Sequence, residues 1–383
     1  MNILIEHGFE ANYSIGFARG LASNGVTLVV LSSDETEGRL SAAGIRNINL
    51  LGSQSESRSV WEKSLNMLRY YSRLLLFVIR NRGETFHFIG QFRNEFILFE
   101  GVFLNAFFKM LAGRYIYTAH NLLPHGRERS HFFRWVYRIV YSIPDVLVAH
   151  TQKTRQALIG QFGVPAAKIH VMSIGLNEEV PASSLGRREC RARFGCDGAA
   201  QLILFFGRIA EYKGVDLLIE AFDSLELPKT RLIIAGPFRS SSYRELILAK
   251  IDSARRRADI SLDARVIPND EVGVFFGASD VLCLPYRNIH QSGPLFLAMR
   301  FGKPVVATNV GSFADFVTED TGIIAPSNDA QGIANALMDF FSSPERFRGE
   351  SILAEAQKYR WDRVCQILLP LYKPDAGSGF AAA

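Results

Sequence analysis

The sequence predicts an α/β protein made of two doubly wound domains with parallel sheets. Three observations carry that reading. Short β-branched apolar runs alternate with helical stretches, the alternation stops and restarts near residue 201, and 383 residues exceed one ordinary domain.

The first alternation opens with "NILIEHG" and "VTLVVLSS", two apolar runs separated by "FARGLASNG". Phe17 and Leu21 have helical spacing and Gly25 supplies a stop, so this is a β-α-β unit. Strands follow at "TFHFIG", "RYIYTAHN" and "DVLVAHT", with helices over 60–80 and 131–141. Residues 173–200 turn polar and carry Pro and Gly, which reads as a linker and hinge. The second alternation runs through strand "LILFFGRI", helix "VDLLIEAF", strand "RLIIAGP", helix 243–257 and strand "DVLCLPY". It ends with a helix opening at "SGP", strand "KPVVATN" and helix 329–341. The predicted domains are therefore 1–172 and 201–360. Ligands in such sheets bind beyond the carboxyl ends of the strands, which makes the cleft between domains the default site.

Composition narrows the function classes. With 48% hydrophobic and 21% charged residues the chain is globular, and Cys190, Cys196, Cys283 and Cys365 form no C-x-x-C pair. Reduced thiols in a cytosolic setting suit that spacing better than a disulfide framework or a zinc site. No signal peptide or membrane-spanning stretch is read. Charge is uneven: residues 1–172 hold 19 Lys or Arg against 12 Asp or Glu, and the remainder holds 24 against 26. The first domain is thus the partner for an anionic ligand or surface, and no nucleic-acid motif accompanies it.

The most informative motif is "GRIAEYKG" after the strand "LILFF", with Arg208 and Lys213 around a turn that leads into a helix. Two cations at the carboxyl end of a buried strand make a diphosphate clamp, or else two solvated loop cations. Farther on, "QSGP" starts a helix without a neighbouring carboxylate. Ser292 can cap it or donate to a phosphate, Gly293 permits close approach and Pro294 suits the first helical position. The amides of Gly293, Leu295 and Phe296 would then face an anion with the helix dipole behind them.

In "FFGRIAEYKGVDLLIEAF", "RLIIAGP", "ASDVLCLPY" and "AMRFGKPVVATNVGSFADFV" the chain resembles the GT-B nucleotide-sugar glycosyltransferases, in particular glycosyltransferase family 4. The resemblance implies two Rossmann-like domains facing a central cleft, with a nucleoside-diphosphate sugar held by the second and a saccharide acceptor by the first. It places Arg208 and Lys213 on the family's diphosphate pair, with Gly207 and Gly236 also on the donor side. It implies retention of anomeric configuration and no metal or other cofactor, and no D-x-D motif occurs in the sequence. His120, in "TAHNLLPH", resembles the family's histidine facing the donor sugar and would orient sugar or acceptor; His125 is a weaker candidate. Gly8, in "EHGFEANYS", would let the backbone approach a phosphate, although the family's paired glycines are absent, and His7 ranks below it. "YRWDRVCQILLPLYK" resembles the last helix, 361–374, which crosses back to the first domain with Trp361 as its anchor.

One departure limits the carry-over. Where many members have two glutamates eight positions apart, this chain has Ile289 and Leu297, neither of which accepts a hydrogen bond through its side chain. His290 and Gln291 are conceivable replacements, and Asp315 falls on an acidic position of the family's next segment. The expected function is hexosyl transfer to a saccharide, lipid-linked in surface or exported polysaccharide synthesis. The rivals are a non-catalytic partner subunit and a sugar-nucleotide epimerase or hydrolase.

Residues 61–82 and 127–142 mix Lys and Arg with Leu, Tyr, Phe and Trp. Such helices suit the surface of an anionic bilayer, or are core helices with solvated basic faces. The first option gives a cytoplasmic protein, peripheral on the inner face of the membrane.

Overall fold

Strands rich in Val, Ile, Leu and Phe, covered by helices on both faces, satisfy the burial that parallel sheets require. In the computed structural model, which describes residues 1–7, 11–54, 59–124, 126–196, 200–289 and 292–372, they form two units. Unit 1 is Met1–Gly175 joined by the chain from Arg360, and unit 2 is Leu176–Tyr359.

Unit 1 holds β1 (Asn2–Ile5), β2 (Leu28–Ser32), β3 (Asn47–Asn49), β4 (Thr85–Phe88), β5 (Arg114–Ala119), β6 (Val146–Ala149) and β7 (Ile169–Val171). They form one parallel sheet in the order β3-β2-β1-β4-β5-β6-β7. The order reverses between β1 and β4, and that switch point opens a crevice at the strands' carboxyl ends. Its helices are α1 (Ala11–Ser23), α2 (Asp34–Ala42), α3 (Val60–Arg80), α4 (Asn105–Leu111), α5 (His131–Ser142) and α6 (Gln152–Phe162), and a π-helical turn, Phe99–Leu104, leads into α4. Ser59 and Glu62 cap the start of α3 reciprocally.

The C-terminal segment belongs to this unit for a steric reason. The Trp361 indole lies in a slot floored by two glycines: a Cβ on Gly16 would stand 2.1 Å from its Nε1, and one on Gly175 2.2 Å from its Cδ2. Asn24 Nδ2 also donates to the Asp362 carbonyl at 2.7 Å.

Unit 2 holds β8 (Gln201–Phe206), β9 (Thr230–Ala235), β10 (Ile260–Asp263), β11 (Val281–Leu284), β12 (Val305–Ala307) and β13 (Gly322–Ile324). All pair in parallel in the order β10-β9-β8-β11-β12-β13, so the switch point falls between β8 and β11. Its helices include α7 (Arg187–Ala192), α8 (Val215–Ser224), α9 (Ser241–Ser253), α10 (Asn269–Ala278) and α11 (Gly293–Arg300).

Every strand read from the sequence is present. The four that were missed, β3, β7, β10 and β13, are edge strands of three or four residues, only partly buried, and too short to show a period. The segment 173–200 is not a free linker. From Leu176 it packs into unit 2: Cys190 is buried, and Arg191 pairs at 3.0 Å with Asp280, whose Oδ2 also accepts from the Leu202 amide. Its polar composition is the solvent face of α7.

Candidate functional site

At the switch point of unit 2, three pieces of chain meet. β8 is followed at once by Gly207, which adopts φ 114°, a conformation that favours glycine. A Cβ there would lie 3.2 Å from Lys213 Nζ and 3.3 Å from Pro294 Cγ. The end of β8, the Glu211–Lys213 turn and the first turn of α11 therefore converge on one small space. Gly236, at φ 140°, supports it from below, because a Cβ there would stand 2.2 Å from the Gly207 carbonyl oxygen.

Lys213 is buried, and its ammonium sits 5.0 Å from the centroid of the Tyr286 ring. Arg208 is exposed at the rim and makes no hydrogen bond or ion pair among the described residues. Gly214, at φ 64°, lets the turn press against β11's loop, where a Cβ would meet the Pro285 carbonyl oxygen at 2.0 Å. That loop is locked from the other side by Arg287, whose amide donates to the Tyr212 carbonyl at 2.8 Å and whose guanidinium forks onto Asp216 at 2.7 and 2.5 Å. Tyr243 Oη donates to the same carboxylate at 2.6 Å. Burial works to raise the Asp216 pKa, and the bonds from Arg287 and Tyr243 outweigh it and hold the group below its ordinary value.

Ser292 stands at the cap of α11 yet makes no capping bond; its Oγ donates instead to Tyr286 Oη at 3.5 Å. No acidic side chain occupies the first turn, and a Cβ on exposed Gly293 would meet nothing within 4 Å. Leu295 and Phe296 bury their side chains, so only their amides are available to a ligand. The arrangement offers one buried and one exposed cation, an uncapped helix start and two close-approach glycines. Such a set suits a diphosphate. Ile289 and Leu297 are both buried, and a Cβ on Gly311 would come within 1.9 Å of the Ile289 carbonyl oxygen. Asp315 is exposed on the short helix Phe313–Phe316.

In unit 1, His120 follows β5, but its ring is turned inward. Nε2 donates to the Ile89 carbonyl at 2.9 Å, and Nδ1 lies 3.2 Å from His150 Nε2, while His150 Nδ1 donates to the Met172 carbonyl at 2.9 Å. Burial, then the neighbouring His150, push His120 well below the ordinary imidazole range, and burial brings His150 down to about 4. The pair is neutral near pH 7. The sequence reading gave His120 a contact with sugar or acceptor; the structure commits its Nε2 proton to the Ile89 carbonyl, so a contact through Nε2 requires the ring to leave that bond.

His7 lies at the unit 1 switch point, with Nδ1 2.9 Å from Tyr70 Oη and Nε2 3.1 Å from Glu100 Oε1. Glu100, on the π-helical turn, also accepts from Tyr71 Oη and from the Arg93 amide at 2.6 Å. Beside it, Glu6 accepts from Ser33 at 3.0 Å and Thr36 at 2.8 Å, and burial pushes its pKa up to about 7. Sequence reasoning missed Tyr286, the Arg287–Asp216–Tyr243 lock and Glu100. A lone carboxylate inside the apolar run "FILFEGVF" was the available signal for the last. Gly8, His125, His290 and Gln291 lie outside the described residues. Among the described residues, no three His, Cys, Asp or Glu side chains are grouped to hold a metal ion.

The sequence pattern described as Glycosyltransferase Family 4 matches residues 11–180, and that described as Glycosyl transferases group 1 matches residues 186–352. A D-inositol 3-phosphate glycosyltransferase of Kineococcus radiotolerans is 29% identical over 252 residues, covering 61% of this chain and 58% of that protein. One of Xylanimonas cellulosilytica is 26% identical over 244 residues with the same coverage. The chain thus spans less than two thirds of the length of these curated relatives. Among solved structures, Anabaena HepE in complex with UDP-glucose superposes with a TM-score of 0.73 at 17% identity, covering 97% of this chain and 99% of that one. Sucrose-phosphate synthase from Thermosynechococcus elongatus superposes with a TM-score of 0.73 at 15% identity, covering 97% and 98%.

Proposed function

Since the chain belongs to the GT-B glycosyltransferases of family 4, we propose that it moves a hexosyl unit from a nucleoside-diphosphate sugar to a hydroxyl of a saccharide. The observation that carries this reading is the convergence of Lys213, Gly207 and the start of α11 at the unit 2 switch point. The UDP-glucose named in the HepE complex supports a nucleotide-sugar donor.

In this reading Lys213 and Arg208 neutralise the departing diphosphate, and the amides of Gly293, Leu295 and Phe296 share its charge. No metal is assigned a part. The bond from the sugar's C1 to the phosphate oxygen breaks as the bond from C1 to the acceptor oxygen forms. The acceptor proton passes to a donor phosphate oxygen. The family resemblance supports retention of configuration. His120 acts by holding its loop to β4's end through the Ile89 carbonyl, a positioning role. The acceptor we infer is a lipid-linked saccharide of surface or exported polysaccharide synthesis, met by a cytoplasmic protein at the membrane's inner face. The excess positive charge of unit 1 supports this.

The test is turnover of UDP-, GDP- and ADP-hexoses with and without a lipid-linked saccharide fraction, read as nucleoside diphosphate released and mass added to the acceptor. Release that requires the acceptor supports transfer. Release without acceptor points to a hydrolase, and conversion of the sugar alone to an epimerase. One observation favours a second reading: both positions where the family resemblance expects glutamate are buried and apolar. A non-catalytic partner subunit would show no turnover, and Lys213→Ala would leave its cellular function intact.

A further inference from the structure

An ordinary surface helix has one apolar face, and α3 has two. It buries Tyr70, Leu74 and Val78 in the unit 1 core. On the opposite side Trp61, Leu65, Leu68, Leu76 and Ile79 are 86, 49, 66, 53 and 49% exposed. At about 100° per residue these five fall within an arc of about 80°. Arg69, Arg73 and Arg80, all exposed, run along the neighbouring stripe.

The same pattern continues in the next elements. Phe103 on the π-helical turn is 69% exposed, Met110 on α4 72%, and Phe132 and Trp135 on α5 49 and 58%. Arg134 and Arg138 are exposed beside the last two. The inner faces of α3, α4 and α5 share one core, so their outer faces form one layer. Cross-links hold that layer together: Tyr71 of α3 donates to Glu100 of the turn, and Asn105 Nδ2 of α4 donates to the Val140 carbonyl of α5 at 3.0 Å. Exposed apolar residues scattered singly need no explanation, but nine of them on the outer side of helices that share one core mark an interaction site.

We propose that this layer inserts into the headgroup–acyl boundary of an anionic membrane leaflet. The apolar chains enter the lipid, the arginines meet the phosphates, and Trp61 and Trp135 sit at the interface. Charge favours a bilayer: on α3 and the turn after it, the cations Lys63, Arg69, Arg73, Arg80 and Arg82 outnumber the acids Glu62 and Glu84, and Glu84 is paired with the N-terminal ammonium. This goes beyond electrostatic adsorption by two basic helices, because it adds residues 94–111 and makes insertion the main attraction. It rests on the proposed lipid-linked acceptor only for its purpose.

The chain carries its own reporters. Of its three tryptophans, Trp61 and Trp135 belong to the layer and Trp361 is buried, 4% exposed. The whole protein is mixed with phosphatidylglycerol–phosphatidylcholine vesicles whose acyl chains carry bromine. Tryptophan emission should shift to the blue and be quenched by the bromine. Most of the bound fraction should persist at about 1 M salt, where charge attraction beyond about 3 Å is screened. Leu68→Glu with Phe103→Glu changes two exposed side chains; it should keep the wild-type melting temperature and weaken vesicle binding by about tenfold or more. Absence of a shift at low salt overturns the proposal, and so does binding without bromine quenching, which would mean adsorption alone. A blue shift that grows with protein concentration and needs no vesicles would assign the face to a second copy of the chain and also overturn it. No donor or acceptor enters this assay, so its failure and a failure of turnover are told apart.

Discussion

Replacing Lys213 by methionine removes the charge that lies over the Tyr286 ring and keeps an unbranched apolar chain in its place. Lys213 as a whole is 7% exposed, and its ammonium lies close to Gly207. A charge-assisted bond from so sheltered a group is worth about 1.5 to 3 kcal/mol net, which corresponds to roughly 10- to 150-fold in affinity. Isothermal titration with UDP, GDP and ADP should show a loss of that size for whichever diphosphate the protein binds. Burial also predicts that the loss survives at high salt, because water and ions do not reach the group. Arg208 is exposed, so the loss on Arg208→Gln should be smaller and fade as salt rises. Wild-type affinity in the Lys213→Met protein, or a Lys213 effect that disappears at high salt, would refute the placement of this ammonium on the diphosphate.

Two further predictions test the scaffold. Glu6 titrates near 7 in the folded chain against 4.5 unfolded, so the fold favours its protonated form. Its contribution is lost as pH rises from about 4.5 through 7, and Glu6→Gln should stabilise unit 1 by up to about 3 kcal/mol at pH 8 and by under about 1 at pH 5. His87, brought down to about 3 by burial and then His150, and His150 itself have the opposite sign. They stabilise above about 6.5 and fail as pH falls, so urea midpoints of the Glu6→Gln protein should drop more steeply on acidification than those of the wild type. Equal slopes would sink this assignment. Gly236→Ala would drive a Cβ to 2.2 Å from the Gly207 carbonyl oxygen at φ 140°. It should cost about 3 kcal/mol or more and weaken diphosphate binding by displacing Gly207, seen in denaturation and titration together.

The architecture was legible because long buried strands announce themselves by composition. "LILFF" and "RLIIA" are unbroken apolar runs, and β8 and β9 follow them residue for residue. Edge strands such as Asn47–Asn49 have no such run, because half their surface meets solvent. At the site, Arg208, Lys213 and "QSGP" were legible as residue types that suit an anion, yet their meeting was not. Their closeness depends on close approaches of glycines, Gly207 to the Pro294 ring and Gly214 to the Pro285 carbonyl, that join segments about 70 or more residues apart along the chain. His120 shows the converse. Its position after a strand suggested a ligand contact, while its partners Ile89 and His150 come from neighbouring strand ends that only the folded sheet brings together. Arg287 and Asp216 were each unremarkable in sequence; the lock they form with Tyr243 exists only once α8, α9 and the β11 loop are assembled.

The central claim is that unit 2 binds a nucleoside diphosphate at its switch point. Thermal unfolding of the whole chain with UDP, GDP and ADP tests it most directly. A ligand that binds only the folded state at 100 times its Kd adds about 2.7 kcal/mol. At least one of the three should therefore raise the melting temperature of the wild type and raise that of the Lys213→Met protein less. No shift with any of the three, at concentrations where solubility is not limiting, would contradict the account.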